Sequence, residues 1–413
     1  MVVVIPAYAE ADTLPASLES LAANKKEMLD ATAVLVVVNN PPLAACPPEK
    51  LADNIRMIAR LAGSPALGGG KLNLFWADAS SDGYEIDPAE GVGAARKIGM
   101  DTALPMLNWQ ADPLILSLDA DTLVEPDYLE AVANFFAGDA EAAGAWIRFE
   151  HQPGATAEED DAIAAYELFI RLYVECLRLA GSPYAYHTLG SAFAVRARDY
   201  VRAGGMRRKN GGEDFYFLQA LRKIGSIGGV VATCVRPSSR PSDRVPFGTG
   251  PRIAAFLASG AAEMRVYNPL IFDLLKRVYA AVDNGGLDGT GDAASLRLWL
   301  DALPPLAVSW LESQGFVEQW PSIVRNTPCS SVKRRWAFHT WFDAFKTLKF
   351  VHFCEAGMPE KYHKIGVTEA AGLCDDIFGC RLADACPHGV KGVLHCLREA
   401  EVRRSMIGSS ANA

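Results

Sequence analysis

Pro113-Leu114-Ile115-Leu116-Ser117-Leu118-Asp119-Ala120-Asp121 runs from an apolar segment straight into two acids separated by one alanine. Its apolar residues do not alternate with polar ones, which predicts a strand, Pro113–Leu118, buried on both faces. Three runs of the same kind precede it: Val2–Ile5, Ala33–Val38 and Leu72–Trp76. Between them the pattern turns helical. Leu14, Leu18 and Leu21 recur at helical spacing behind a cap at Asp12 or Thr13, and Lys50–Ala62 and Gly93–Leu107 give two further helices. Strands alternating with helices predict a mainly parallel sheet with right-handed crossovers. Ligands of such sheets bind beyond the carboxyl ends of the strands, so the residues just after each run are the ones to inspect.

Further along, Glu158–Leu179 reads as a long helix with Ala162, Tyr166, Phe169, Tyr173 and Cys176 on one face. Ser191–Val195 reads as a strand and Glu213–Ile224 as a helix. Residues 236–250 are rich in Pro, Ser and Gly, and a loop of that length inside a compact domain suits a lid. Beyond it the pattern is helical: Arg252–Met264, Leu270–Val282, Ala293–Leu303, Val332–Cys354 and Lys391–Arg404, with no strands. The expected organisation is an α/β domain over 1–250 and an all-helical domain over 251–413.

Composition narrows the function. The chain has 413 residues, 50% hydrophobic and 22% charged, with a net charge of -9. Such a balance suits a folded protein and argues against a nucleic-acid binder, which needs clustered Lys and Arg. The longest apolar stretches, such as Ile227–Val235, fall short of the roughly 20 residues of a membrane span. Met1-Val2-Val3-Val4-Ile5-Pro6 has no basic segment of a secretory leader, and the nine dispersed cysteines suit reduced thiols. A cytoplasmic location is the expectation.

Chemistry gathers at the strand ends. Asp119 and Asp121, two positions apart, project to one side, and two hard oxygen ligands there suit Mg²⁺ or Mn²⁺. The plain alternative is a turn in which Asp121 caps a helix beginning near Pro126. The first strand breaks at Pro6 and Ala7 and presents Tyr8 and Glu10, and the second ends in Asn39-Asn40-Pro41-Pro42. Both also satisfy ordinary turn chemistry. Glu90-Gly91-Val92-Gly93-Ala94-Ala95-Arg96 is a glycine-rich turn opening a helix, where Arg96 suits a diphosphate. A dinucleotide fingerprint requires glycine where Arg96 stands, and a tight turn rather than the long polar loop after Trp76. Gly211-Gly212-Glu213-Asp214 delivers an acidic pair to a helix start, either to complement the helix dipole or as a general base.

Taken in order, these residues resemble the family-2 glycosyltransferases. Ile5-Pro6-Ala7-Tyr8-Ala9-Glu10 comes first, then the polar strand tip, the Arg96 helix and Asp119-Ala120-Asp121. Gly190-Ser191-Ala192-Phe193, Gly204-Gly205 and Gly212-Glu213-Asp214 follow. The resemblance covers the first 250 residues or so and implies a GT-A fold and sugar transfer from a nucleotide-sugar donor to a carbohydrate or other hydroxyl acceptor. It implies that the strand ends at Pro6, Ala7, Tyr8, Glu10 and Asn39 hold the nucleoside. Asp119 lies against the ribose or metal-bound water, and Asp121 coordinates the metal. Asp214 deprotonates the acceptor, with Glu213 beside it. The implied reaction is an in-line displacement with inversion, with Arg240 or Arg244 closing over the diphosphate. Relatives carry Asp-Asp-Gly-Ser where this chain has Asn39-Asn40-Pro41-Pro42, which leaves the donor nucleotide open. A catalytically silent nucleotide-sugar-binding module and a nucleotidyltransferase are the rival readings. Asp119 and Asp121 together with Asp214 speak against the first, and the absence of a glycine-rich basic loop after the first strand speaks against the second.

Weaker candidates remain. His187, near Ser191, faces an acceptor or is a structural histidine. Phe338, Trp341, Phe345, Leu348 and His352 form a stripe that suits helix packing. Lys333-Arg334-Arg335 is compatible with peripheral contact to anionic lipid or with a solvated turn. Cys374, Cys380, Cys386, His388, His395 and Cys396 cluster in sequence without a Cys-x-x-Cys pair, which disfavours a structural zinc site.

Overall fold

The computed structural model spans residues 1–413 and describes all but 64–66, 241–249, 251–252, 254–256, 258–263 and 411–413, together with the side chains of 405–410. The chain forms two compact units. The first comprises Met1–Glu167, Tyr186–Gly260 and Glu401–Ala413, and the second Leu168–Ala185 and Ala261–Ala400. A single boundary at residue 250 therefore does not describe them. The division falls inside the helix Ala157–Leu179, and the chain end belongs with the first unit. A continuous helical pattern carries no mark of such a boundary.

The first unit is built on an eight-stranded sheet. Its strands are β1 (Val2–Ala7), β2 (Ala33–Asn39), β3 (Asn73–Ala79), β4 (Leu114–Ser117), β5 (Leu123–Val124), β6 (Ala142–Phe149), β7 (Phe193–Arg196) and β8 (Ser226–Arg236). Their order is β3-β2-β1-β4-β7-β6-β8-β5. The pairs β3·β2, β2·β1, β1·β4 and β6·β8 are parallel. The pairs β4·β7, β6·β7 and β5·β8 are antiparallel. The four apolar runs read from the sequence thus form the parallel half, and their carboxyl ends share one edge. The start of β7 joins that edge because β7 lies antiparallel to β4, with Ser117 opposite Phe193.

Three expectations are refined. β1, β2 and β4 are buried throughout apart from Ala33 at the start of β2, whereas β3 is an edge strand with Phe75 and Trp76 exposed. An edge strand needs apolar residues on fewer faces, so a continuous apolar run overstates its burial. β7 starts at Phe193, two residues later than the apolar pattern suggests. β6 contains two glycine or alanine pairs and β8 contains Gly228-Gly229, which weakens their strand signal.

The helix Gly91–Ala103 packs on β1 and β2. Gly99 faces Val4 and Val37 so closely that an added Cβ would overlap both valines. This close approach, rather than conformational freedom, fixes the glycine.

The second unit is mostly helical. Pro269–Asp283, Ala293–Asp301, Pro305–Ser313, Phe316–Arg325 and Val367–Phe378 are among its helices. The expectation of an all-helical region needs one correction. Arg265–Val266 pairs antiparallel with Ile365–Gly366, a ladder too short to leave a periodicity. The expected helix Val332–Cys354 is two helices, Ser331–Trp341 and Ala344–Gly357. Asp343 caps the second by accepting from the Lys346 N–H at 3.1 Å, so the chain restarts without glycine or proline. The aromatic stripe serves packing: Trp310 meets Phe342 and Phe316 meets Trp341, each at 4.8 Å between ring centres. The expected helix Arg252–Met264 lies largely outside the described residues. No helix among the described residues is long and apolar enough to cross a membrane.

Gly99→Val is expected to destabilise the first unit by about 1–3 kcal/mol through overpacking. Denaturant unfolding of the purified variant measures it, and an unchanged midpoint would contradict the close helix–sheet contact.

Candidate active site

A cavity of about 580 Å³ in the first unit is lined by residues at the ends of β1, β2 and β4 and before β7. Pro6 lies within β1, which continues through Ala7 rather than breaking at the proline; Tyr8 and Glu10 follow it, Asn39 and Asn40 mark the end of β2, and Asp119 and Asp121 follow β4. Gly190 and Ser191 precede β7, Glu213 and Asp214 begin a helix, and Arg240 follows β8. One half of the wall is thus supplied by parallel strand ends and the other by the segments around β7 and β8.

The turn after β1 is held from outside. Ala9 has φ 55°, a left-handed conformation that costs a residue with a side chain on the order of 1 kcal/mol. Asn54 Oδ1 accepts the Ala9 N–H at 2.9 Å, and Asp53 Oδ1 accepts the Ala11 N–H at 2.8 Å. The Asn54 amide also donates to Asn39 O at 3.0 Å and to Asn40 Oδ1 at 2.9 Å, so one buried side chain couples the β1 and β2 tips. Asn40 is fully buried in this network, and both it and Asn39 line the cavity.

Asp119 and Asp121 occupy the turn after β4 rather than the strand itself. Asp121 does not cap the next helix; Asp127 precedes that helix, which begins at Tyr128. Both carboxylates line the cavity. Arg240 donates to Asp121 Oδ2 from Nη2 at 2.9 Å and from Nε at 3.1 Å, and also to Glu10. Glu10 accepts from the Thr13 hydroxyl as well. Arg244, the other expected lid arginine, lies outside the described residues.

Arg96 is the buried centre of the site, with 3% of its surface exposed. Its Nε donates to Glu213 Oε1 at 2.9 Å and its Nη2 to Asp119 Oδ1 at 2.6 Å. Its Nη1 donates to Ser117 Oγ at 2.6 Å and to Gly190 O at 2.8 Å. The expectation that Arg96 meets a diphosphate is therefore recast. Its guanidinium is committed to protein acceptors, and it lines the cavity as the group that fixes Asp119 and Glu213. Gly190 has no room for a Cβ because Arg96 occupies that space.

Glu213 and Asp214 are aimed by two left-handed glycines, Gly211 at φ 103° and Gly212 at φ 70°. The segment before them is pinned to the helix Gly91–Ala103, with the Gly93 N–H donating to Lys209 O at 3.1 Å. Burial, and then the Glu213 charge, push Asp214 up to about 8. Arg96 and the Phe215 N–H, which donates to Asp214 Oδ1 at 2.7 Å, oppose the shift without cancelling it. A helix N-terminus by itself favours the ionised carboxylate, but here desolvation and a like charge outweigh the dipole.

Two expected contacts fall away from the cavity. His187 is buried; its Nε2 lies 2.8 Å from Glu401 Oε1, and its ring packs edge-on against Trp146 and Phe149. It is a structural histidine behind the Gly190–Ser191 wall. Ala7 is fully buried in β1. Lys50, Asn54, Asp87, Tyr166 and Asn210 escaped the sequence reading, although all but Asn54 line the cavity. Asn54 had a legible signal: it shares the buried helical face of Met57 and Leu61.

Among the described residues no group of three or more His, Cys, Asp or Glu side chains is arranged to hold a metal ion. The donor chemistry of Asp119 and Asp121 fits a hard divalent cation that takes its remaining ligands from phosphate and water.

No protein-family model matches the chain, and no curated protein matches it. Among solved structures, S. aureus TarS 1–349 in complex with UDP-GlcNAc is similar at 13% identity and a TM-score of 0.42, covering 83% of this chain and 90% of that one. The mannosyltransferase PcManGT from Pyrobaculum calidifontis, in complex with GDP-Man and Mn²⁺, is similar at 14% identity and a TM-score of 0.37, covering 98% and 86%. Glucosyl-3-phosphoglycerate synthase from Mycobacterium tuberculosis, in complex with UDP, is similar at 14% identity and a TM-score of 0.34, covering 56% and 69%.

Arg96→Met leaves Glu213 buried without its cation and is expected to cost about 3–5 kcal/mol at neutral pH. The loss should shrink in acid as the carboxylates protonate. Unfolding curves at two pH values check this, and a pH-independent loss would contradict the charge argument.

Proposed function

We propose that this chain is a metal-assisted, nucleotide-sugar-dependent glycosyltransferase of the GT-A type. The observation that carries the reading is the convergence of two acidic pairs, Asp119 with Asp121 and Glu213 with Asp214, on one cavity at the carboxyl edge of the sheet. The first pair suits a cation and a diphosphate; the second supplies a carboxylate whose affinity for protons suits a general base.

In this reading the β1 and β2 tips receive the nucleoside, with the Asn39 amide facing the base. Asp119 and Asp121 hold Mg²⁺ or Mn²⁺, which supplies neutralisation of the charge on the departing diphosphate. Arg240, already seated on Asp121 and Glu10, is the cation that the chain itself brings to that charge. Asp214 takes the proton of an acceptor hydroxyl as its oxygen bonds to the anomeric carbon. The bond to the diphosphate oxygen breaks and its electron pair leaves with the diphosphate, which inverts the configuration. Glu213, tied to Arg96, keeps Asp214 from ionising early.

Incubation with a panel of nucleotide sugars, hydroxyl acceptors and Mn²⁺ should release nucleoside diphosphate, and excess EDTA should abolish the release. Full turnover in EDTA would falsify the metal role; release of pyrophosphate instead would indicate nucleotidyl transfer.

Asp214→Asn should slow transfer about 10²–10⁴-fold while leaving nucleotide binding near normal. Asp121→Asn should show the reverse balance, with weakened donor binding by calorimetry. In the parent enzyme the base form of Asp214 fills as pH rises through about 8, so kcat should climb across that range and level above it. The same shift lowers stability on that climb, because the folded state holds the proton more tightly than the unfolded chain. Asp214→Asn should therefore be no less stable than the parent at pH 9, and a flat pH–rate profile would remove Asp214 from the base role.

A further inference from the structure

Three thiols meet within the second unit, in chemistry that the proposed transfer does not use. Cys176 lies on the helix Ala157–Leu179 and Cys374 on Val367–Phe378, and their sulfurs are 3.8 Å apart. Both are buried, at 1% and 0% exposure. Gly379, at φ 68°, ends the second helix. The reversal sets the thiol of Cys380 near enough to Cys374 for the two to shift each other's titration. Cys380 is the half-buried member of the three.

The arrangement has a direction. No soluble oxidant reaches a sulfur with 0% exposure, yet Cys374 touches both a buried thiol and a partly accessible one. The hydrogen bond to Cys176, and then burial, raise the Cys374 thiol above its ordinary range, while contact with Cys380 opposes the rise. The bond to Cys374, burial and nearby Asp375 raise Cys380. These thiols stay protonated at neutral pH, which makes the cluster slow rather than a rapid sensor. A disulfide bond is about 2 Å long, so the Cys176–Cys374 sulfurs need to close by roughly 2 Å.

We propose that Cys176, Cys374 and Cys380 form a disulfide-exchange relay that carries oxidation from a small soluble disulfide at Cys380 to a buried Cys176–Cys374 bond. Cys380 thiolate attacks glutathione disulfide, forming a mixed disulfide and releasing one glutathione. Cys374 then attacks the Cys380 sulfur, releasing the second glutathione and forming Cys374–Cys380. Cys176 attacks Cys374, forming Cys176–Cys374 and returning Cys380 to the thiol. Each attacking thiol gives up its proton to solvent or to the departing thiolate. The net change is one glutathione disulfide reduced to two thiols and two protein thiols oxidised to one disulfide. The finished bond joins positions 198 residues apart and restrains the unfolded chain accordingly.

The test uses the reduced full-length protein with glutathione disulfide at pH 8.5, followed by alkylation at timed points and peptide mass spectrometry. A Cys176–Cys374 linked peptide should accumulate, with a rise in Tm on the order of 5 °C that dithiothreitol reverses. Cys176→Ala should halt the reaction at Cys374–Cys380. Cys380→Ala, a change at a half-buried position, should slow the Cys176–Cys374 bond at least tenfold. Exposed Cys329 reports that the oxidant is active. Oxidation of Cys329 with no disulfide at Cys374 overturns the proposal, as does an undiminished rate in Cys380→Ala.

Discussion

A buried guanidinium organises the first unit. Arg96 enters from the helix Gly91–Ala103 and joins Ser117 at the end of β4, Asp119 beyond it, Gly190 before β7 and Glu213 at a helix start. Three chain segments that are distant in sequence thus share one cation. Taking such a charge out of water costs several kcal/mol, and only close, well-directed partners offset that cost. The surrounding glycines follow from it. Gly190 leaves room for the guanidinium, Gly99 lets its helix settle on the sheet, and Gly93 lets the segment before Glu213 reach the helix. Burial beside this cluster, and then the charge of Glu213, hold the proton on Asp214 to unusually high pH.

Much of the first unit was legible because buried parallel strands announce themselves as unbroken apolar runs. Val2–Ala7, Ala33–Asn39 and Leu114–Ser117 were recognisable with small end errors. The cavity residues after those strands were legible for the same reason, since topology alone puts them on one edge. The antiparallel half was harder. β5 has two residues, and β6 and β8 are diluted by glycine and alanine. The role of Arg96 was misjudged because a guanidinium beside a glycine-rich turn suits phosphate and carboxylate equally well, and only burial distinguishes them. The proton affinity of Asp214 was not legible, since its desolvation comes from burial in the folded chain rather than from its neighbours in sequence. His187 gave no local sign of the Glu401 partner that holds it.

The second unit illustrates a different limit. Its aromatic stripe correctly indicated packing, and ring contacts among Trp310, Phe316, Phe338, Trp341 and Phe342 fill its interior. Its thiol group was invisible as such. Cys374 and Cys380 stood close together in the sequence, but Cys176 lay almost 200 positions away on the face of a helix that appeared purely apolar. Spacing motifs detect ligands gathered by one loop, not those gathered by packing.

The antiparallel placement of β7 beside β4 gives the cavity two walls with unequal freedom to diverge. The wall made by the ends of β1, β2 and β4 is rooted in fully buried strands, where most changes of side chain disturb the packed interior. The opposite wall is made by residues 188–191 and 237–240, which lie outside the regular strands. Apart from Gly190 and Arg240, which are tied to Arg96 and to Asp121, substitutions there change the cavity wall without replacing a residue of the sheet. The architecture therefore roots one wall of the cavity in the packed sheet and hangs the other on loops, so the two walls carry different costs when a side chain changes.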